Sequence, residues 1–281
     1  MAIVESQMSY LEPWGLKEEA PYIRGKVEDA FPRTNFTNQV YKVQVHDARP
    51  EMDQFSLDTH GFAFHRDDGI NGEIVEAIRE KNKTLVEEEY YPQISNLVKR
   101  KTGASKVIVF DHTYRRRDPS LNLDENPNGR EQPATLVHCD QSAIGAVRRV
   151  KRHAGEEADK LLQTLTEISV WRPIHGVVED WALAVMDYQS IKASEIHPTS
   201  IFAERFEMQG QTVSINHSAD QRWYYINRQT PDETTFIKIW DSKVGVAKMC
   251  AHCAFPSPQA PANAQSRESI EVRCLVFYDH E

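Results

Sequence analysis

Apolar and polar positions follow two different patterns along the chain, which predict a helical first part and a β-rich second part. In residues 71–100 the apolar residues recur at helical spacing, interrupted by Pro92, which predicts two helices. An apolar run at 105–117 passes into alternation and predicts a strand. Residues 1–70 are predicted to be irregular apart from a short strand at 40–45, and to wrap over a core.

Short strand patterns dominate the rest of the chain. A loop rich in turn formers is predicted at 122–134, and one amphipathic helix at 154–168. After that helix come closely spaced strand-like runs, one of them at 201–208, which are typical of a sandwich or barrel.

The predicted fold class is therefore α+β, with a jelly roll (double-stranded β-helix) as its core. The jelly roll is expected at 105–281, with a helical insertion near 145–168, and residues 1–104 supply the wrapping segment and the packed helices. We expect residues 1–281 to form a single domain.

Composition and charge narrow the class of protein. The net charge of −9 argues against a general nucleic-acid binder, whose binding surface would be basic. The N-terminus lacks the pattern of a secretory signal, and no apolar run approaches the length of a membrane span. The 4 cysteines are too few and too irregularly spaced for a disulfide framework. We expect a cytoplasmic protein that binds a small molecule, and neither nucleic acid nor membrane.

Several catalytic signatures are absent from the sequence. No G-x-G pair is present, which excludes the dinucleotide fingerprint and the P-loop, and no G-x-S-x-G elbow is found. Cys250 and Cys253 form a C-x-x-C pair without the second pair that structural zinc requires, so buried thiols are expected there.

Two H-x-D motifs could contribute metal ligands, His65–Asp67 and His138–Asp140. In an extended strand alternate side chains share a face, so the histidine and the aspartate of such a motif project together. With one distant histidine they can form the facial triad of non-haem Fe(II) enzymes. His65–Asp67 adjoins an Asp-Gly turn and is predicted to be a loop, whereas His138 and Asp140 end a strand. We therefore favour the second motif.

A third ligand and an anion-binding pair follow later in the chain. His252 lies in a predicted strand between small neighbours that leave room for a metal, and His217 is the second choice. Arg267 and Ser269 form an R-x-S pair at the start of the last strand. A guanidinium and a hydroxyl at this spacing can bind one carboxylate.

The order H-x-D … H … R-x-S resembles that of Fe(II)/2-oxoglutarate-dependent oxygenases. From about residue 35 to Tyr278, the chain is similar to a fungal and bacterial family that includes cephamycin 7α-hydroxylase components, gibberellin-desaturase-like proteins and AsaB-type proteins. The segments that carry this similarity are VHCDQS, VWRPI, RWYYI, KIWDSK, AHCAF and RESIEVRCLVFY.

The resemblance implies a function and a ligand set. His138, Asp140 and His252 would hold Fe(II), and Arg267 with Ser269 would bind the distal carboxylate of 2-oxoglutarate. The enzyme would use O₂ to oxidise a C–H bond of a small specialised metabolite, by hydroxylation, desaturation or ring formation, and would release succinate and CO₂.

Further residues are weaker candidates for the pocket. Arg273 is expected to share a strand face with Arg267, which makes it a second candidate for carboxylate binding. Arg172 and Tyr224, with their neighbours Arg222 and Tyr225, could line the pocket, although packing in the core is the alternative.

Two alternative functions remain open at this point. One is an iron enzyme that uses O₂ without 2-oxoglutarate, and the other is a non-catalytic jelly-roll protein that binds a small molecule. The aromatic strand edges are also compatible with a homodimer, which the sequence does not decide.

Overall fold

The structure is a computed structural model that describes residues 1–15, 19–25, 32–122, 132–203 and 207–279. Most of the predicted loop at 122–134 and the middle of the predicted strand at 201–208 lie outside these described residues.

Strands are the main elements of the described chain. They are β1 (Ile3–Leu11), β2 (Tyr22–Arg24), β3 (Asn38–Asp47), β4 (Phe62–Arg66), β5 (Lys106–Arg116), β6 (His138–Cys139), β7 (Leu165–Pro173), β8 (Trp181–Met186), β9 (Ile196–Phe202), β10 (Met208–Ile215), β11 (Trp223–Tyr225), β12 (Glu233–Asp241), β13 (His252–Pro256) and β14 (Glu268–Phe277).

Helices are shorter and lie mostly in the first half. The α-helices are α1 (Leu57–His60), α2 (Gly72–Arg79), α3 (Lys83–Leu85), α4 (Tyr91–Thr102), α5 (Ala143–His153) and α6 (Ala158–Leu161). A π-helical turn spans Val86–Tyr90, and 3₁₀ turns span Arg49–Gln54, Gly155–Glu157, Leu162–Thr164, Tyr188–Ser190 and Ala193–Glu195.

The described strands form two sheets that pack face to face. One has nine strands in the order β1-β3-β11-β8-β13-β6-β10-β9-β2, and the other has five in the order β4-β12-β7-β14-β5. Side chains of both sheets, such as Phe62 and Trp171 from one and Val185 and Phe255 from the other, share one buried core. This arrangement of large, mainly antiparallel sheets is consistent with the predicted jelly roll.

Helices cover the outer face of the five-stranded sheet. Ile78 of α2 and Leu97 of α4 pack against Val170 of β7 and Ile270 of β14. Because side chains alternate along a strand, the neighbours of these strand residues point the other way. Trp171, next to Val170, points inward between the sheets.

The two predicted helices are present, but the break between them lies at residues 80–82, where Lys81 has a φ of 57°. The predicted interruption at Pro92 is wrong, because Pro92 lies in the first turn of α4, which continues directly from α3 and the π-helical turn.

The N-terminal segment is more regular than predicted. β1 pairs in antiparallel fashion with β3 along its whole length, from Ile3 opposite His46 to Leu11 opposite Asn38. Every second residue of β1 is buried, including polar Ser6, whose hydroxyl donates to the carbonyl of Pro256 at 2.7 Å. The prediction of an irregular segment is wrong, because a polar residue on the inward face breaks the alternation of apolar and polar residues that would have indicated a strand.

The predicted helix at 154–168 is also wrong in its bounds. The helix lies earlier, as α5, and begins after Ser142, whose side chain accepts a hydrogen bond from the Gly145 amide. Gly155 adopts φ +58°, a conformation that ends the helix, and from Leu165 the chain is already strand β7. The apolar residues in between still pack in one small cluster with α5.

All 4 cysteines are buried and none forms a disulfide. In the described part of the chain, no helix is long and apolar enough to cross a membrane.

Candidate active site

Two neighbouring strands bring together two histidines and an aspartate. His138 of β6 lies directly opposite His252 of β13, and Asp140 follows β6 at the spacing that returns its side chain to the same face. One ligand atom from each of the three side chains lies within 4.8 Å of the others. Asp140 Oδ1 is 3.5 Å from His138 Nε2 and 3.8 Å from His252 Nε2.

Backbone carbonyls fix the orientation of both imidazole rings. His138 Nδ1 lies 2.7 Å from the carbonyl oxygen of Leu136, and His252 Nδ1 lies 3.1 Å from that of Cys250. A carbonyl can only accept, so Nδ1 carries the proton in each ring, and the neutral ring keeps its lone pair on Nε2. Two imidazole lone pairs and one carboxylate oxygen therefore converge, which is the donor set of a non-haem Fe(II) site.

Burial and neighbouring charges favour the metal-binding protonation states of two of the three ligands. Burial, together with His138, lowers the pKa of His252 to about 4, so this ring is neutral at pH 7. Burial would raise the pKa of Asp140, but Arg273, His138 and His252 together outweigh it and hold the pKa well below its usual range. Burial lowers the pKa of His138, but the hydrogen bond and charge of Asp140, with the Leu136 carbonyl and Glu271, together raise it more, so a metal at this ring competes with a proton.

Arg267 and Ser269 present unsatisfied donors in the space between the sheets. Arg267 is 4% exposed and Ser269 is 1% exposed. The Arg267 guanidinium donates from Nη1 to the Trp181 carbonyl at 3.0 Å and lies 5.4 Å from the centre of the Trp171 ring. Within the described chain its Nε and the Ser269 hydroxyl have no hydrogen-bond partner.

The surroundings of Arg267 disfavour its positive charge. Burial, and then the neighbouring charge of Arg115, lower the pKa of Arg267 to about 9. A buried cation with a free N–H beside a free hydroxyl is suited to a carboxylate.

Comparisons with known proteins agree with this geometry. A family model described as "Oxidoreductase/YMDC permease-like domain" matches residues 8–277. The chain is 38% identical over 274 residues to the Fe(II)/2-oxoglutarate-dependent dioxygenase nvfI of Aspergillus novofumigatus, covering 97% of this chain and 96% of that protein. The chain belongs to the Fe(II)/2-oxoglutarate-dependent dioxygenases.

Further comparisons extend to the fold and to other reactions of this family. The solved structure of the iron and alpha-ketoglutarate-dependent endoperoxidase NvfI superposes with a TM-score of 0.89 at 36% identity, covering 99% of each chain. The hydroxylase/desaturase CTB9 of Cercospora beticola is 32% identical over 257 residues, covering 85% of this chain and 77% of that one. The dioxygenase thus depends on Fe(II) and 2-oxoglutarate, and the two alternative functions are not favoured.

Arg273 of the dioxygenase lies at the triad and not beside Arg267. Its Nε donates to Asp140 Oδ2 at 3.0 Å, and its Nη1 donates to the Thr113 hydroxyl at 2.9 Å. Glu271 and Asp111 each lie 3.4 Å from the same guanidinium. The group therefore has several carboxylate partners of its own, unlike Arg267.

Arg172 is not part of the site, which corrects the prediction that it lines the pocket. It lies opposite Ile270 on the outer, helix-covered face, where it pairs with Asp67 and donates to the carbonyl of Pro231 at 3.1 Å. Its neighbour Trp171 takes the inward position, and a strand cannot turn two consecutive side chains to the same face.

Tyr224 is on the same face of the nine-stranded sheet as His252, separated from it by Val185. Its ring packs against those of Phe55 and His46, with centroids 4.8 Å and 5.5 Å away. The structure shows an aromatic wall here, and a contact between Tyr224 and a cofactor stays a prediction.

The other candidate histidines are elsewhere. His65 lies in strand β4, so the loop prediction for its motif is wrong, and its ring packs on Phe236, 4.6 Å between centroids. Alternating Phe62 and Phe64 place β4 in the sheet despite the Asp-Gly turn that follows. His217 stacks on Tyr41 with centroids 4.1 Å apart. Neither histidine joins the triad.

Sequence reasoning missed the residues that surround the triad. Ser169, Thr113 and Glu271 line the inner face of the five-stranded sheet around Arg273. The alternation of polar residues in RESIEVR, with Glu271 midway between Ser269 and Arg273, is the signal that could have revealed Glu271.

Proposed function

We propose that His138, Asp140 and His252 hold the Fe(II) of this dioxygenase, and that Arg267 and Ser269 bind the distal carboxylate of 2-oxoglutarate. One observation carries the proposal. The space between the sheets contains a converging His-Asp-His donor set and a buried arginine with an unpartnered N–H, which supports a cation site and an anion site in one pocket.

Iron bound at the triad would supply the activation of O₂ that couples decarboxylation of 2-oxoglutarate to oxidation of a substrate C–H bond. The chain's own residues have other tasks. The carbonyls of Leu136 and Cys250 keep the two Nε2 lone pairs directed at the metal position. The sheet core excludes water around Arg267, which strengthens its attraction for a carboxylate.

The substrate is a small specialised metabolite. Relatives are named as an endoperoxidase and as a hydroxylase/desaturase, which are different outcomes of oxidising a carbon centre. The wall of Tyr224, Phe55 and His46 supports an apolar or aromatic substrate, because it lies on the sheet face that carries His252.

We also infer that the two sheets form the double-stranded β-helix of a single catalytic domain. The family match across residues 8–277 supports this. A cytoplasmic location and a homodimer stay predictions.

A turnover assay tests the proposed function. The protein is incubated with a panel of fungal metabolites, Fe(II), 2-oxoglutarate and O₂, and succinate is measured. We expect succinate release that needs all three additions and is abolished in Asp140→Ala. Equal succinate release by Asp140→Ala and the wild type would contradict the assignment.

A further inference from the structure

The carboxylate of Asp140 has two oxygens in very different surroundings. Oδ1 faces the Nε2 atoms of His138 and His252. Oδ2 points the other way and is hydrogen-bonded by Arg273 Nε at 3.0 Å and by the Ser169 hydroxyl at 3.3 Å. The two oxygens are therefore not equivalent before any metal arrives.

The guanidinium that contacts Oδ2 is itself held from several sides. Thr113 on β5 accepts from Nη1 at 2.9 Å, and Glu271 on β14 lies 3.4 Å from Nη2. Glu271 in turn accepts from the Ser169 hydroxyl at 2.6 Å. Since a hydroxyl has one proton, the shorter bond to Glu271 is the main one, and Arg273 remains the principal donor to Oδ2.

We propose that Arg273 is a positioning residue that occupies Asp140 Oδ2, so that Asp140 offers iron a single oxygen. This inference rests on the proposed iron site. A carboxylate free to bind through both oxygens would occupy a position that 2-oxoglutarate or O₂ needs. Arg273 suits this role because Thr113 and Glu271 hold its planar guanidinium so that Nε is directed at Oδ2, which the flexible ammonium of a lysine would not reproduce.

The role differs from the carboxylate-binding role that the sequence indicated for Arg273. Each nitrogen of its guanidinium already has a carboxylate within 3.4 Å, Nε that of Asp140, Nη1 that of Asp111 and Nη2 that of Glu271. It acts through Asp140 and does not need to touch substrate or co-substrate.

Metal titrations of the purified metal-free protein test the proposal. Fe(II) affinity is measured anaerobically, and the visible absorption of the Co(II) protein reports the number of ligands. Arg273→Gln is compared with Arg79→Gln, a matched control that removes another arginine paired with a glutamate of β14, at 2.8 Å from Glu268. Thr113→Val, which removes only the bond that aims Nη1, is the milder second variant.

We expect Arg273→Gln to weaken Fe(II) binding by about 10–100-fold and to change the Co(II) absorption, as loss of a partner behind a metal ligand does. Arg79→Gln should change neither quantity, and Thr113→Val should shift both in the same direction by less. Arg273→Lys should restore the charge but not the wild-type Co(II) spectrum.

Three results would overturn the proposal. The first is a folded Arg273→Gln with wild-type Fe(II) affinity and Co(II) spectrum. The second is an equal effect of Arg273→Gln and Arg79→Gln. The third, if Arg273→Gln does not fold, is an unchanged Co(II) spectrum in Thr113→Val. Asp140→Ala in the same titration distinguishes a failure of the role proposed for Arg273 from a failure of the proposed iron site. If it binds Fe(II) like the wild type, the iron site itself is wrong.

Discussion

The two arginines on the inner face of β14 have opposite surroundings. Arg267, just before the strand, donates to a backbone carbonyl, and its Nε is unpartnered. Arg273, six positions on, contacts Asp140, Glu271 and Asp111. Burial lowers the pKa of both groups, but the pKa of Arg267 falls to about 9 whereas the carboxylates raise that of Arg273 overall.

This difference shows that the neighbouring charged groups, and not the shared strand face, determine which kind of partner each arginine can still bind. Among the described residues Arg267 forms no ion pair with a carboxylate, whereas Arg273 lies within 3.4 Å of the carboxylates of Asp140, Glu271 and Asp111. Glu167 also lies near Asp140, but it is 0% exposed, neither of its oxygens has a hydrogen-bond partner in the described chain, and its raised pKa keeps it mostly neutral at pH 7. These surroundings suit the proposed positions of the 2-oxoglutarate carboxylate at Arg267 and of Fe(II) near Arg273.

The largest expected effect is at the proposed metal site. His138→Ala and His252→Ala should each abolish tight Fe(II) binding, because each removes one of the two imidazole lone pairs that, among the described residues, lie beside Asp140 Oδ1. Anaerobic equilibrium dialysis against Fe(II) measures this. Full iron occupancy in His252→Ala would assign the third ligand to another residue.

The next largest effect is expected at Arg267, the proposed binding residue for the distal carboxylate of 2-oxoglutarate. Arg267→Lys should weaken 2-oxoglutarate binding by about tenfold or more and leave Fe(II) in place, because charged hydrogen bonds contribute roughly 1.5–3 kcal/mol and lysine lacks the planar fork. The anaerobic Fe(II) protein is titrated with 2-oxoglutarate and the charge-transfer band is recorded.

Two controls belong with that titration. Arg172→Lys, on the outer face of the same sheet, should not change the affinity for 2-oxoglutarate. 2-Oxovalerate, which lacks the distal carboxylate, should bind wild type and Arg267→Lys alike. If Arg267→Lys weakens both oxo acids equally, Arg267 does not bind the distal carboxylate.

A smaller effect concerns the excess of carboxylates near Arg273. Burial, then Asp140, raise the pKa of Glu167 to about 8. The unfolded chain loses this proton near pH 4.5 and the folded chain only near 8, so folding stability is full below about 4.5 and falls as the pH rises to about 8.

Glu167→Gln should remove this dependence. In the metal-free protein it should match the wild-type unfolding free energy at pH 5 to within about 1 kcal/mol, and exceed it at pH 8 by a few kcal/mol, at about 1.4 kcal/mol per unit. Urea unfolding at the two pH values measures the difference. The same difference at both would show that the carboxyl is not buried as a neutral acid.

The smallest expected effects are at the two histidines outside the triad. His217→Ala and His65→Ala should leave Fe(II) affinity within about twofold of wild type, because their rings pack on Tyr41 and Phe236. Dialysis as above checks this, and a loss of iron in His217→Ala would reopen its candidacy as a ligand.

Much of the β architecture could be predicted from the sequence because apolar alternation directly reports a half-buried strand. The predicted strands at 40–45 and 105–117 are confirmed as β3 and β5. β1 was missed because the inward side of this strand carries Ser6. The helix was misplaced because Leu161, Leu162 and Leu165 have helical spacing, although α5 ends before Gly155 and Leu165 already begins β7.

Parts of the site depend on information that sequence spacing does not contain. The convergence of His138, Asp140 and His252 could be predicted from alternation and motif order. Arg172 points outward because the alternate residues of β7 that include it face the helices. Arg273 contacts Asp140 because of the way the two sheets face each other. Neither relation can be read from one strand alone.

A crystal structure of the protein grown anaerobically with Fe(II) and 2-oxoglutarate, with anomalous data at the iron edge, tests the central claim most directly. We predict an iron peak bounded by His138 Nε2, His252 Nε2 and Asp140 Oδ1, and density for the distal carboxylate of 2-oxoglutarate at Arg267 Nε and the Ser269 hydroxyl. Iron away from these three atoms, or the distal carboxylate on Arg273, would contradict the account.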